Sequence, residues 1–272
     1  SPAYLILLMI MAGVNYLGAL LIEKYRGTKK AVAALVADLA ITLGFLCWFK
    51  YITFFCEVIN SFFGIWGATV FEHIPLAVLP AGISFYSFQL ISYVVDVYTK
   101  DVDADHNYCN VLLYTSLFHQ CIAGPIVRYK DIALSLKDRK TDINSMSTGI
   151  SRFCTGLAKK TLLANSCGAI LEILLPERLS GVTHATVAAA WMGAFLYMLQ
   201  IYLDFSAYSD MAIGLGKMTG FVYKENFNYP YIAKSVTDFW RRWNISLSST
   251  FRDYADIPLG GNSKGLMRQL FN

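Results

Sequence analysis

The sequence predicts an all-α fold: a polytopic integral membrane helix bundle of about seven spans, with an interfacial amphipathic segment toward its C-terminal end. Three observations carry this prediction. Hydrophobic residues make up 56% of the 272 residues and charged ones only 15%, with a mean hydropathy of +0.44, which leaves too little polar surface to cover a soluble globule of this size. Several apolar segments reach the roughly 20 residues that cross a bilayer core about 30 Å thick. The loops between them carry clusters of Lys and Arg. The net charge of +4 is modest, so no nucleic-acid partner is expected.

In order, the candidate spans cover 3–22, 31–49, 51–67, 74–98, 108–127, 152–175 and 186–216. The third is short and carries Glu57, so a tilt or shielding by neighbours is expected there. Lys24, Arg26, Lys29 and Lys30 lie in the first loop; Lys130, Lys137, Arg139 and Lys140 lie between 128 and 152; and five cations lie between Lys217 and Arg242. The positive-inside rule makes all three loops cytoplasmic. Alternation through seven spans then leaves the acidic loop of Asp101, Asp103 and Asp105, and the 176–184 loop, outside. No repeat or flexible linker divides the chain, so residues 1–272 read as a single domain. The expectation is that both ends are cut, because the chain opens inside a span and KGLMRQLFN leads toward another helix. No separate signal peptide is expected.

Cysteine and histidine add little. Cys47, Cys56, Cys109, Cys121, Cys154 and Cys167 show no CxxC pairing and read as small buried hydrophobes. His73, His106, His119 and His184 share no helix at i, i+4 spacing, so no metal site is expected.

Charges inside the spans carry more. A carboxylate at mid-bilayer costs about 2.5–3.5 kcal/mol on insertion scales, so Asp38, Glu57, Asp96, Asp204 and Asp210 need partners, water or protonation. The seventh span, QIYLDFSAYSDMAIG, sets Asp204 and Tyr208 on one face and Ser206 and Asp210 on another. Such a helix either lines an aqueous cavity or pairs its acids with neighbouring helices, and both readings satisfy the desolvation argument. The fourth span opens at Pro80 and Gly82 and has a polar side of Ser84, Ser87, Gln89, Ser92 and Asp96. On physics alone these are packing positions. The CIAGPIVRYKDI loop breaks at Gly124 and Pro125 and reads as presenting Arg128 at the cytoplasmic face.

Three blocks, in order, resemble the bacterial branch of the membrane-bound O-acyltransferases that O-acetylates alginate or peptidoglycan: PAGISFYSFQLISYVVDVY, IAGPIVRY and NFNYPYIAKSVTDFWRRWNISLSSTFRDYADIPLGGN. Together they span residues 80–262. The third is the most specific, because amphipathicity explains alternating aromatics and arginines but not this order through IPLGGN.

The resemblance implies a tunnel through the bundle in which a cytoplasmic acyl thioester, acyl-CoA or another, meets a hydroxyl of an extracytoplasmic polysaccharide, with no bound cofactor. It also implies a histidine general base. Two departures follow. Asn244 stands where the family has a histidine, and an amide accepts no proton at neutral pH; the second family histidine is expected beyond Asn272. Smaller departures are Thr250, Ala255, Asp256 and His119. The tunnel wall is assigned to Asp204, Tyr208, Asp210, Trp240 and Trp243, and donor or headgroup binding to Arg128, Arg241 and Arg242, with Asn244 at the position of the missing base. A chain with this site is expected to be inactive as written.

The expected location is the bacterial cytoplasmic membrane, multi-pass, beside a periplasmic or extracellular partner acetyltransferase. The rival reading is a non-catalytic membrane scaffold or acyl conduit for that partner. A small-ion transporter is weaker, since no pair of interrupted helices sits in matching halves.

Overall fold

The computed structural model describes residues 2–66, 70–71, 79–120, 124–175 and 186–257, and among these residues there is no strand. His73, His184, Cys121 and the IPLGGN block beyond Ile257 lie outside the described residues. The chain forms two compact units, Ser1–Ile122 with Arg128–Leu136, and Ala123–Val127 with Lys137–Asn272.

In the first unit, α1 (Pro2–Lys24) and α2 (Lys29–Gly64) form an antiparallel hairpin. Its turn is made by Gly27 at φ +78°, a conformation that costs glycine nothing. The spans expected at 31–49 and 51–67 are therefore one continuous helix. Lys50 does not end it, because lysine is a good helix former whose ammonium can reach polar surroundings along its own stem. Next come α3 (Ile83–Thr99) and the short α4 (Tyr108–Ser116), followed by a 3₁₀ turn at Phe118–Gln120 and by α5 (Tyr129–Lys137). Gly82, at φ +77°, turns the chain into α3.

Merging two spans changes the topology. With one crossing fewer, the acidic loop falls at the same end of the unit as the first basic loop. Arg26 Nη1 donates to Asp103 Oδ1 at 2.9 Å, Arg26 Nη2 donates to the Val102 carbonyl, and the Ala104 amide donates to Glu23 Oε1. The expected placement of Asp101, Asp103 and Asp105 opposite that loop is corrected by these contacts.

The fifth expected span is corrected as well. The helix leaves α-geometry at Leu117, whose ψ is 110°, and by Tyr129 the chain is back at the acidic loop. Tyr129 Oη donates to Asp105 Oδ2 at 2.8 Å, and Lys130 Nζ lies 2.7 Å from Asp101 and 3.5 Å from Asp96. The helix expected over 108–127 thus ends at Ser116, and Tyr129 lies beside Asp105. Burial lowers the Lys130 pKa, but the hydrogen bond to Asp101 and the charge of Asp96 outweigh it and hold the ammonium above its ordinary value. Arg128 is buried rather than displayed, because the chain entering α5 packs its next residue, Tyr129, against Tyr93 and Tyr114.

The second unit is built on another antiparallel hairpin. One arm is α6 (Ile143–Ala158), a π-helical turn at Lys159–Ala164, and α7 (Asn165–Leu174); the other is α8 (Val187–Met218). The expected sixth span thus begins nine residues early, at Ile143, after Asp142, whose side chain caps α6 by accepting from the Ser145 amide at 2.7 Å. Glycines set the register. A Cβ on Gly149 would sit 2.8 Å from the Gly214 carbonyl, one on Gly156 2.8 Å from the Ala207 carbonyl, and one on Gly168 against Gln200. Small residues at these positions let the backbones touch. Among the described residues, three helices, Ala3–Lys24, Lys29–Gly64 and Val187–Met218, are long and apolar enough to cross a membrane.

Candidate functional site

Arg152 on α6 and Lys159 at the start of the π-helical turn are seven residues apart, so they lie on one stripe facing α8. Both reach Asp210. Arg152 Nε donates to Asp210 Oδ1 at 2.9 Å, Arg152 Nη2 donates to Glu225 Oε2 at 2.6 Å, and Lys159 Nζ lies 2.5 Å from Asp210 Oδ2. Lys160, the next residue, is rotated onto Asp204, with which it forms an ion pair, and its ammonium stands over the Tyr208 ring at 5.5 Å. Of the two readings of the seventh span, ion pairing therefore holds for both acids.

Asp210 also lines a cavity of about 830 Å³, whose wall includes Arg152, Lys159, Tyr202, Ser206, Ser209, Glu225, Asn226, Phe227 and Ile245. Asp204 and Tyr208 do not line it. The cavity holds two cations and two carboxylates already paired to one another, with aromatic faces from Tyr202 and Phe227. It suits a ligand held by neutral hydrogen bonds and ring contact better than one bearing a strong charge.

The segment after α8 closes this cavity through Asn226. Asn226 is buried, and its amide nitrogen donates to Ser209 Oγ on α8 at 3.2 Å. Its amide oxygen accepts from the Ser246 amide and hydroxyl at 3.1 and 2.8 Å, and its carbonyl accepts from the Ile245 amide at 2.9 Å. Ser246 Oγ in turn accepts from the Ile126 amide. One side chain thus ties α8, the 124–127 segment and the start of α10 (Ile245–Phe251) together.

Asn244 is the residue before α10. Its backbone is left-handed, φ 43° and ψ 55°, and its side chain makes no capping hydrogen bond. Asparagine and histidine are among the few side chains enriched in this conformation. Asn244 does not itself line the cavity; its neighbour Ile245 does.

The helix α9 (Val236–Arg242) is capped by Ser235, whose hydroxyl accepts from the Asp238 amide. Arg242 Nε donates to Asp238 Oδ1 at 2.9 Å, and that bond holds the Asp238 carboxyl below its ordinary pKa. Trp243 stacks on Phe239 at 5.6 Å and meets Phe227 edge-on at 5.1 Å. Trp240 and Arg241 point outward and are exposed. Of the predicted site residues, the cavity contains Asp210 alone, with Trp243 packed against its wall residues Tyr202 and Phe227. Arg128 belongs to the first unit.

Sequence reasoning missed Arg152, Lys159, Glu225 and Asn226. The seven-residue interval between Arg152 and Lys159 was a usable signal, and Asn226 stood in the quoted NFNYPY block. Among the described residues, no group of three or more His, Cys, Asp or Glu is gathered in one place.

Comparisons with known proteins bear on this unit directly. The family model of the membrane-bound O-acyltransferases matches residues 100–272. The Pseudomonas aeruginosa protein named "Probable alginate O-acetylase AlgI" is 42% identical over 237 residues, 86% of this chain and 44% of that protein. A peptidoglycan O-acetyltransferase of Helicobacter pylori is 32% identical, over 95% of this chain and 53% of its own length. A teichoic acid D-alanyltransferase of Bacillus subtilis is 32% identical over 64% of this chain and 44% of that protein. The chain thus spans about half the length of the curated relatives it matches. With the family model covering well over half of it, and with the signature segment forming the wall of a polar cavity against a long apolar helix, the chain belongs to the membrane-bound O-acyltransferase family.

Proposed function

We propose that this chain carries the cavity-forming part of a membrane O-acyltransferase. The enzyme moves an acyl group, acetyl by analogy with the named relatives, from a cytoplasmic thioester such as acyl-CoA to hydroxyls of an extracytoplasmic polysaccharide. One observation carries the reading. The family's signature segment supplies Asn226, Phe227 and Ile245 to the wall of the cavity that Asp210 also lines. The proposed setting is the bacterial cytoplasmic membrane, with residues 1–272 working as one domain beside an extracytoplasmic partner acetyltransferase.

In the reaction, the acceptor oxygen attacks the thioester carbonyl carbon, a C–O bond forms, the C–S bond breaks, and sulfur leaves as thiolate. The hydroxyl proton must pass to a base. Asn244 cannot take it, and both carboxylate oxygens of Asp210 are already engaged by Arg152 and Lys159. The Asn244 form is therefore slow. The Arg152–Asp210–Lys159 group fixes the cavity wall, Asp204 and Tyr208 hold the outer face of α8, and Trp243 stiffens the aromatic side. Arg241 and Arg242 bind the donor or lipid headgroups, and Trp240 sits at headgroup depth.

The test is transfer of radiolabelled acetyl from acetyl-CoA to polysaccharide in membranes carrying the full-length protein, as Asn244 and as Asn244→His. The left-handed backbone at 244 accepts histidine, so the variant folds. A gain of about 10²-fold or more is expected. Equal rates in the two forms would remove position 244 from the proton path.

A further inference from the structure

The hairpin of α1 and α2 lies outside the residues matched by the family model, and it contains a polar cluster that the proposed reaction does not use. Asp38 on α2 is 3% exposed. Neither of its carboxylate oxygens has a hydrogen-bond partner in the protein. Gly18 on α1 makes room for it, since a Cβ there would lie 2.9 Å from the Asp38 carboxyl carbon. One turn along, Asn15 of α1 is fully buried and donates its amide to Thr42 Oγ1 at 2.9 Å and to the Met11 carbonyl at 2.9 Å. That uses both of its N–H donors and leaves its side-chain oxygen without a partner. Asn15 and Gly18 are i, i+3, and Asp38 and Thr42 are i, i+4, so the two contacts form adjacent layers of one interface.

We propose that Asn15, Asp38 and Thr42 form a binding site for a small monovalent cation inside the α1–α2 hairpin. The chemistry of the cluster selects that ligand. It offers the oxygens of Asp38, the amide oxygen of Asn15 and the hydroxyl of Thr42, with no free N–H, which excludes an anion. A single carboxylate matches a single positive charge. Hard cations take oxygen ligands at about 2.3–2.6 Å, so the oxygens they bridge stand farther apart than hydrogen-bonded ones. That fits oxygens that are buried together yet share no hydrogen bond. The third helix, α3, packs against both α1 and α2 and carries two more buried hydroxyls without a partner, on Tyr86 and Ser87.

The test is the thermal unfolding midpoint of the full chain in detergent micelles, in choline chloride against sodium, potassium or lithium chloride at equal ionic strength. At tenfold excess over the dissociation constant, one alkali ion raises the midpoint by about 2–4 °C. The shift disappears in Asp38→Asn, which keeps the side-chain shape, and is retained in Asp138→Asn, an exposed acid elsewhere. Asp38→Asn also melts above the parent in choline, which guards against reading misfolding as lost binding. An equal midpoint in choline and alkali chloride overturns the proposal. So does an alkali shift that survives in Asp38→Asn. A neutral-carboxyl infrared band that Asp38→Asn abolishes, persisting in saturating sodium, would mean that the site holds a proton instead.

Discussion

The α1–α2 and α6–α8 hairpins are both antiparallel, both brought close by glycine, and both carry carboxylates on helices apolar enough to span, yet they neutralise those acids in opposite ways. In the second unit Asp204 and Asp210 meet Lys160, Lys159 and Arg152 across the interface. In the first, Asp38 lies against Gly18, and among the described residues neither of its carboxylate oxygens has a hydrogen-bond partner. A facing stripe of bases lets a helix pair keep its charge and present it to a cavity. A facing stripe of small and amide residues leaves the charge to be matched from outside the chain.

The largest expected effect breaks the paired hairpin. Asp210→Asn leaves Arg152 with Glu225 alone and Lys159 with no carboxylate, and should cost about 3 kcal/mol in detergent unfolding, the lower end for a broken buried pair because both bases are partly exposed. A loss under about 1 kcal/mol would mean that the two hairpins do not differ as described.

Next, glycine substitutions should have opposite signs at close-packed and at open positions of the two hairpins. Gly156→Ala pushes a Cβ to 2.8 Å from the Ala207 carbonyl and should cost about 1–3 kcal/mol. Gly44→Ala on α2, where nothing lies within 4 Å, should gain up to about 1 kcal/mol. Equal responses would show that close approach is not what holds the α6–α8 register.

The smallest effect lies on the exposed α9. Because Arg242 holds Asp238 below its ordinary value, the contribution of this pair is complete above the unfolded carboxylate range near pH 4 and is lost as pH falls through the lower folded value. Tryptophan fluorescence from Trp240 and Trp243 should show this acid transition, and Asp238→Asn should abolish it. A transition that persists in the variant would place its origin in another group.

Much of the architecture was legible in the residues. The apolar runs of α1 and α8 set their ends within two or three positions, because hydrophobic length is a local property. Lys50 misled because a charge interrupts hydropathy without interrupting a helix, and one miscounted crossing moved the acidic loop to the wrong end. The end of α4 at Ser116 was hidden because an apolar segment reads the same whether or not its helix continues. At the site, Asp210 was visible as an expensive charge. Its partners depend on the register of α6 against α8, and Asn226 makes hydrogen bonds to residues 17 and 20 positions away, which no local pattern reports.

The unbroken α2 has a mechanical consequence. Its 36 residues measure about 54 Å at helical rise, nearly twice the hydrocarbon thickness. Leaning at about 40°, the steep end of observed tilts, it descends about 41 Å, the depth of a bilayer with its headgroups. Lys29 and Lys30 then rest in one polar layer, while the exposed rings of Phe62, Phe63 and Trp66 reach the other. Such a strut is sensitive to lipid chain length: a thinner bilayer lays it flatter, a thicker one stands it up, and the α1–α2 hairpin turns with it.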